Sequence, residues 1–81
     1  MSTPLNLSQL NIGESAIIES FTDKEMSLQL LEMGCTPGEK VKIDKIAPLG
    51  DPIAIHVSGY ILSLRKAEAS TVLVSLENSN G

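Results

Sequence analysis

The sequence predicts a mostly β domain: a small barrel of five short antiparallel strands with one inserted α-helix at about residues 23–33. Three observations lead there. Short runs in which aliphatic residues alternate with polar ones recur along the chain, as in Val41-Lys42-Ile43, Ile53-Ala54-Ile55-His56-Val57 and Thr71-Val72-Leu73-Val74-Ser75-Leu76, the period of a half-buried strand. Proline and glycine clusters punctuate these runs, and one segment alone combines helical spacing with both a start and a stop signal. Five strands in 81 residues leave exposed edges unless the sheet curls onto itself, which makes a barrel the economical form.

The head, Met1 to Pro4, and the tail, Glu77 to Gly81, are polar and unpatterned. An ordered core of about residues 5–76 is therefore expected inside a single domain, 1–81. Leu7, Leu10 and Ile12 surround Ser8, a candidate N-cap for one short turn, and Gly13-Glu14 opens a first strand through Ala16, Ile17 and Ile18. Thr22-Asp23-Lys24-Glu25 has the capping-box pattern, in which the Thr22 hydroxyl accepts from the Glu25 N–H, with Phe21 and Met26 at the staple positions. Met26, Leu30 and Met33 share one helix face while Leu28 and Leu31 lie on the other, so the helix is expected to be sandwiched rather than laid on a surface. Gly34 stands where a left-handed residue ends a helix, with Cys35 placed to touch Leu30 in a Schellman ending.

Thr36-Pro37-Gly38-Glu39 reads as a type II turn, because proline suits its second position and glycine its third. Val41 and Ile43 then alternate with Lys40, Lys42 and Asp44, and Ile46 breaks the alternation, which predicts a bulge near Lys45. Ala47-Pro48-Leu49-Gly50-Asp51-Pro52 is a stiff irregular loop, each proline fixing φ and withholding a donor. Ile53, Ile55 and Val57 pair across Ser58-Gly59 with Tyr60, Leu62 and Leu64 as a hairpin. Arg65 to Ala69 favours a short helix, and Thr71 to Leu76 closes the sheet.

Composition excludes several classes of function. Ten acidic against six basic residues, net charge −4, disfavour a phosphate backbone, and Phe21 and Tyr60 alone make no stacking platform, so no nucleic-acid partner is expected. The single cysteine excludes an intrachain disulfide and fits a reducing cytoplasm. No signal-peptide pattern and no apolar run of roughly 20 residues is present, so direct membrane insertion is not expected.

Catalytic chemistry is equally thin. Cys35 falls at an apolar helix exit far from His56, the one imidazole, and reads as a small core residue. His56 lies on the strand face opposite Ile53, Ile55 and Val57 and is expected to face solvent. No catalytic residue, cofactor-binding residue or metal ligand is assigned, and the chain is not expected to be an enzyme. What remains is recognition: a rigid exposed loop on a sheet scaffold is a good place to bind something. The candidate partner-binding residues are Pro48, Leu49, Gly50, Asp51, Pro52 and Arg65. Leu49 either anchors a partner pocket or folds back onto the core; the Arg65-Lys66 pair is solvated, meets an acidic partner, or meets Asp51.

Taken in order, Leu30-Leu31-Glu32-Met33-Gly34-Cys35-Thr36-Pro37-Gly38, Ala47-Pro48-Leu49-Gly50-Asp51-Pro52-Ile53 and Leu62-Ser63-Leu64-Arg65-Lys66-Ala67-Glu68-Ala69 resemble the bacterial FeoA family over nearly the whole domain. The resemblance implies an SH3-like barrel, similar to the C-terminal domain of iron-dependent repressors. It also implies a small cytoplasmic accessory of ferrous iron uptake, peripheral at the inner membrane through its partner FeoB, the permease with a cytosolic GTP-binding domain. The matched positions Leu30, Gly34, Pro37, Gly38, Pro48, Gly50, Asp51, Pro52, Leu64, Arg65 and Ala69 read mostly as fold determinants. Cys35 stands where the family usually has a bulkier apolar residue, in keeping with burial. The alternative is a metal-responsive sensor binding Fe(II) or another divalent transition metal through His56 and nearby carboxylates. Edge strands leave room for a homo-oligomer.

Overall fold

The computed structural model describes residues 5–77. Its six antiparallel strands are β1 (Leu5–Asn6), β2 (Ser15–Phe21), β3 (Lys40–Ile46), β4 (Ile53–Val57), β5 (Tyr60–Leu64) and β6 (Val72–Leu76). Helix α1 (Lys24–Glu32) is inserted between β2 and β3, and α2 (Lys66–Ala69) between β5 and β6. The sheet order is β1-β6-β2-β3-β4-β5. Five strands fall where the alternation predicts; the sixth, β1, is a two-residue piece pairing Leu5 with Val74 and Asn6 with Leu73, too short to show a period. A 3-10 turn (Leu7–Gln9), which follows β1, packs on α2, which follows β5.

The curled sheet encloses one core in which Leu7, Ile18, Leu30, Val41, Ile43, Ile55, Val57, Leu64 and Val72 are sealed from solvent and no polar side chain is buried among the described residues. The bulge expected near Lys45 is present, since the β3–β4 register slips between Ile43 and Lys45. The Thr36–Glu39 turn closes with the Glu39 N–H donating to Thr36 O at 3.0 Å, and Gly38 takes φ +95°, as the third position of a type II turn requires.

Helix α1 ends as its sequence predicts but begins one residue later. Gly34, at φ +99°, donates to Leu31 O at 3.1 Å, and the Cys35 N–H reaches Leu30 O at 2.9 Å, the two bonds of a Schellman motif. At the other end Asp23, not Thr22, is the N-cap, its carboxylate accepting from the Met26 N–H at 2.9 Å. Thr22 is held by the sheet instead: its N–H donates to Thr71 O at 2.8 Å, extending the β2–β6 ladder one step past Phe21. A similar shift moves the first cap from Ser8 to Asn6, whose Oδ1 accepts from both the Ser8 N–H (3.0 Å) and its hydroxyl (2.5 Å).

The sandwiched position expected for α1 is overturned. Leu30 is its one fully buried residue, while Leu28 is 67% exposed and Leu31 is also exposed. A chain this small encloses a single core, and α1 covers it from one side only, leaving the second apolar face in water.

Candidate partner-docking site

The β3–β4 connection starts from the strand pair Ile46 and Ile53, the last of the ladder. Beyond it the Ala47 N–H donates to Pro52 O at 3.0 Å, and the Gly50 N–H donates to Ala47 O at 2.7 Å, folding Ala47-Pro48-Leu49-Gly50 into a β-turn with proline at its second position. The Asp51–Pro52 peptide is cis. Leu49 sits at the tip and is 96% exposed. Of the two readings open for it, the structure selects the exposed one: the turn directs its side chain away from the core.

The loop is also tied to the far end of the β4–β5 hairpin. Asp51 Oδ1 accepts from the Lys66 N–H at 2.9 Å, so this carboxylate caps the first helical residue of α2. Arg65, adjacent to that bond, gives its own N–H to Glu68 Oε1 at 2.8 Å. Its side chain is exposed, and the one ion pair among the described residues is Lys40 with Glu77 at 2.9 Å. The meeting of Asp51 with the Arg65-Lys66 pair therefore takes place through a backbone amide, and among the described residues the Arg65 guanidinium has no ion-pair partner.

Pro48, Leu49, Gly50, Asp51, Pro52 and Arg65 are thus brought to one end of the molecule. Sequence reasoning missed the floor beside them, a shallow, mainly apolar depression lined by Lys45, Ile46, Ala47, Pro48, Pro52, Ala54 and Ser63. The broken alternation at Ile46 was its only local signal. An apolar tip, an adjoining apolar hollow and an exposed cation are suited to gripping another polypeptide; they supply no nucleophile or acid–base pair.

The residues considered for reactive chemistry lie elsewhere. Cys35 is fully buried, and desolvation raises its thiol pKa above the ordinary 9.0, which keeps it protonated and unreactive. His56 is exposed on β4. Its cross-strand partner is Lys42, and the hollow it lines contains Ser15, Lys40 and Lys42. The carboxylates that a metal reading of His56 calls for are replaced there by ammonium groups, which oppose a divalent cation. Among the described residues no three His, Cys, Asp or Glu side chains converge on a metal-sized site. No helix among them is long and apolar enough to cross a membrane.

Residues 5–76 match the family model of the FeoA domain. The chain is 32% identical over 77 residues to the Fe(2+) transport protein A/Fe(2+) transporter FeoB fusion protein of Porphyromonas gingivalis, matching 94% of this chain and 9% of that protein. The chain thus spans about a tenth of that relative's length. Among solved structures, the FeoA-like protein of Clostridium acetobutylicum superposes with a TM-score of 0.88 at 30% identity, over 100% of this chain and 95% of that one. The FeoA of Stenotrophomonas maltophilia, solved in complex with zinc and described as an SH3 domain protein, gives a TM-score of 0.78 at 32% identity, covering 91% and 96%. The curled six-stranded sheet is accordingly the SH3-like barrel expected.

Proposed function

The chain belongs to the FeoA family, and on that footing we propose that it is a small accessory protein of ferrous iron uptake that binds the FeoB membrane transporter and modulates it through protein–protein contact. It acts at the cytoplasmic face of the membrane that holds FeoB, by binding rather than turnover. The observation that carries the docking mode is Leu49, 96% exposed at the tip of a turn closed by two backbone bonds. An apolar side chain held in water by a stiff support loses little conformational freedom when a pocket takes it up.

The P. gingivalis relative supports the choice of partner, because it joins an iron transport protein A and an FeoB transporter in one chain. Fusion makes the encounter of two modules intramolecular and raises their effective concentration, which is useful only to modules that meet. Leu49 is the proposed anchor, the Pro48–Pro52 loop its frame, and Arg65 the cation that meets an acidic group on FeoB.

Titration of this chain against the cytosolic portion of FeoB tests the reading. The double variant Leu49→Asp, Arg65→Glu places a charge in the pocket and reverses the cation, and is expected to weaken binding at least about tenfold. Unchanged affinity excludes this surface as the contact.

A further inference from the structure

Strand β5 ends the sheet and pairs on one side only, with β4. Ser58 (φ +52°) and Gly59 (φ +84°) form a type I′ turn, so the closing pair Val57 and Tyr60 exchanges both of its hydrogen bonds. Counting along the ladder, Ile61 opposite His56 and Ser63 opposite Ala54 are the non-hydrogen-bonded positions. Their backbone N–H and C=O groups therefore point away from β4, to the open side. Among the described residues no other segment bonds to them there.

Proteins usually blunt such an edge with a charge, a proline or a bulge. Tyr60-Ile61-Leu62-Ser63-Leu64 has no charge and no proline, its register with β4 runs without a slip, and Ile61 is 51% exposed. We propose that this edge is a homodimer seam, on which a second copy of the chain lays its own β5 antiparallel about a two-fold axis at Leu62.

The register selects itself. About that axis Ile61 faces the partner's Ser63 and Ser63 faces the partner's Ile61, so every outward N–H and C=O on both strands finds a mate. Leu62, half-buried, meets the partner's Leu62 at a non-hydrogen-bonded pair, where side chains approach most closely. The same register sets the partner's Arg65 opposite Gly59, next in sequence to Tyr60, whose hydroxyl donates to Met33 O at the end of α1. Glu32 lies at that helix end, and the last turn of α1 carries no basic residue of its own. The arriving guanidinium supplies the missing positive charge, once on each side of the axis. The seam itself is neutral, so two copies of net charge −4 meet without a like-charge pair across it.

The pairing does not rest on the FeoB reading, but it shares Arg65 and Ser63 with that surface, so its test reads self-association of the chain alone and leaves Arg65 untouched. Sedimentation velocity on the full chain, from micromolar to millimolar concentration, is expected to show a reversible monomer–dimer equilibrium. Amide exchange at Ile61 and Ser63 should slow as the dimer fills. Ser63→Pro removes the outward donor alone, since Ser63 gives β4 no hydrogen bond, and an edge strand accommodates proline with its nitrogen facing solvent. It is expected to fold and to weaken association at least about tenfold; Ile61→Lys, which leaves the backbone intact, should act in the same direction. A wild-type chain monomeric throughout overturns the proposal, as does a dimer that persists unchanged in both variants. Slowed exchange at Ile61 and Ser63 that arises only on addition of FeoB, the chain alone staying monomeric, also overturns it and gives the edge to that partner.

Discussion

Asp51 and Leu49 stand two residues apart in one loop and serve opposite ends, the first facing into the molecule and the second out of it. The Asp51 carboxylate holds the first amide of α2, so Asp51→Ala should cost about 1 kcal/mol, read as a lower urea midpoint with the slope unchanged. The partnership spans 15 positions of sequence, which is why the sequence could bring Asp51 and the Arg65-Lys66 pair into question but not say which atom answers. Cys35 was legible in full, because a residue just past the helix-ending Gly34 packs back on Leu30. Its folded pKa is raised by burial. The unfolded thiol therefore ionises first, and above about pH 9 the folded state holds a proton that the unfolded state has lost. Stability should fall as pH rises through that window, more steeply in the wild type than in Cys35→Ala, and paired urea titrations from pH 7 to 10 measure the difference.

At the scale of elements, the helix termini and turns were readable wherever local chemistry decides them. Gly34, the Pro37-Gly38 turn, the bulge before Ile46 and the Ser58-Gly59 reversal all stand where expected. The α1 cap moved because a neighbouring strand claimed the backbone, Thr22 being spent on Thr71 before it can serve the helix, and the first moved because the Asn6 carboxamide takes both the N–H and the hydroxyl of Ser8. The orientation of α1 was not legible, since apolar residues on two faces look alike whether the second face is covered or bare. The structure separates them sharply. Leu30→Ala should cost about 2 to 5 kcal/mol as buried volume is lost, whereas truncating Leu28, which is 67% exposed, to Ala should stay within about 0.5 kcal/mol. Chemical denaturation of the two variants side by side checks the contrast.

For the whole molecule, the barrel followed from arithmetic on strands and edges, and the fold was the most legible level of all. The docking site was half legible. Its loop is written in the prolines, but the apolar floor formed by Ile46, Pro52 and Ala54 exists only once β3 and β4 lie side by side. Because Leu49 and Arg65 are exposed and outside the core, the double variant Leu49→Asp, Arg65→Glu should leave stability within about 0.5 kcal/mol of the wild type, so that any loss of FeoB binding reads as lost contact and not as lost structure. A melting curve taken on the same samples verifies this.

The hairpin that carries β5 is fastened at both extremities, by Tyr60 to the end of α1 and, just past Leu64, by Asp51 to the first turn of α2. A ribbon pinned this way behaves as a splinted rail: it cannot peel or fray without first unlatching the helix at one end or the proline loop at the other. Whatever strand comes to lie along it meets a template whose two ends are already held.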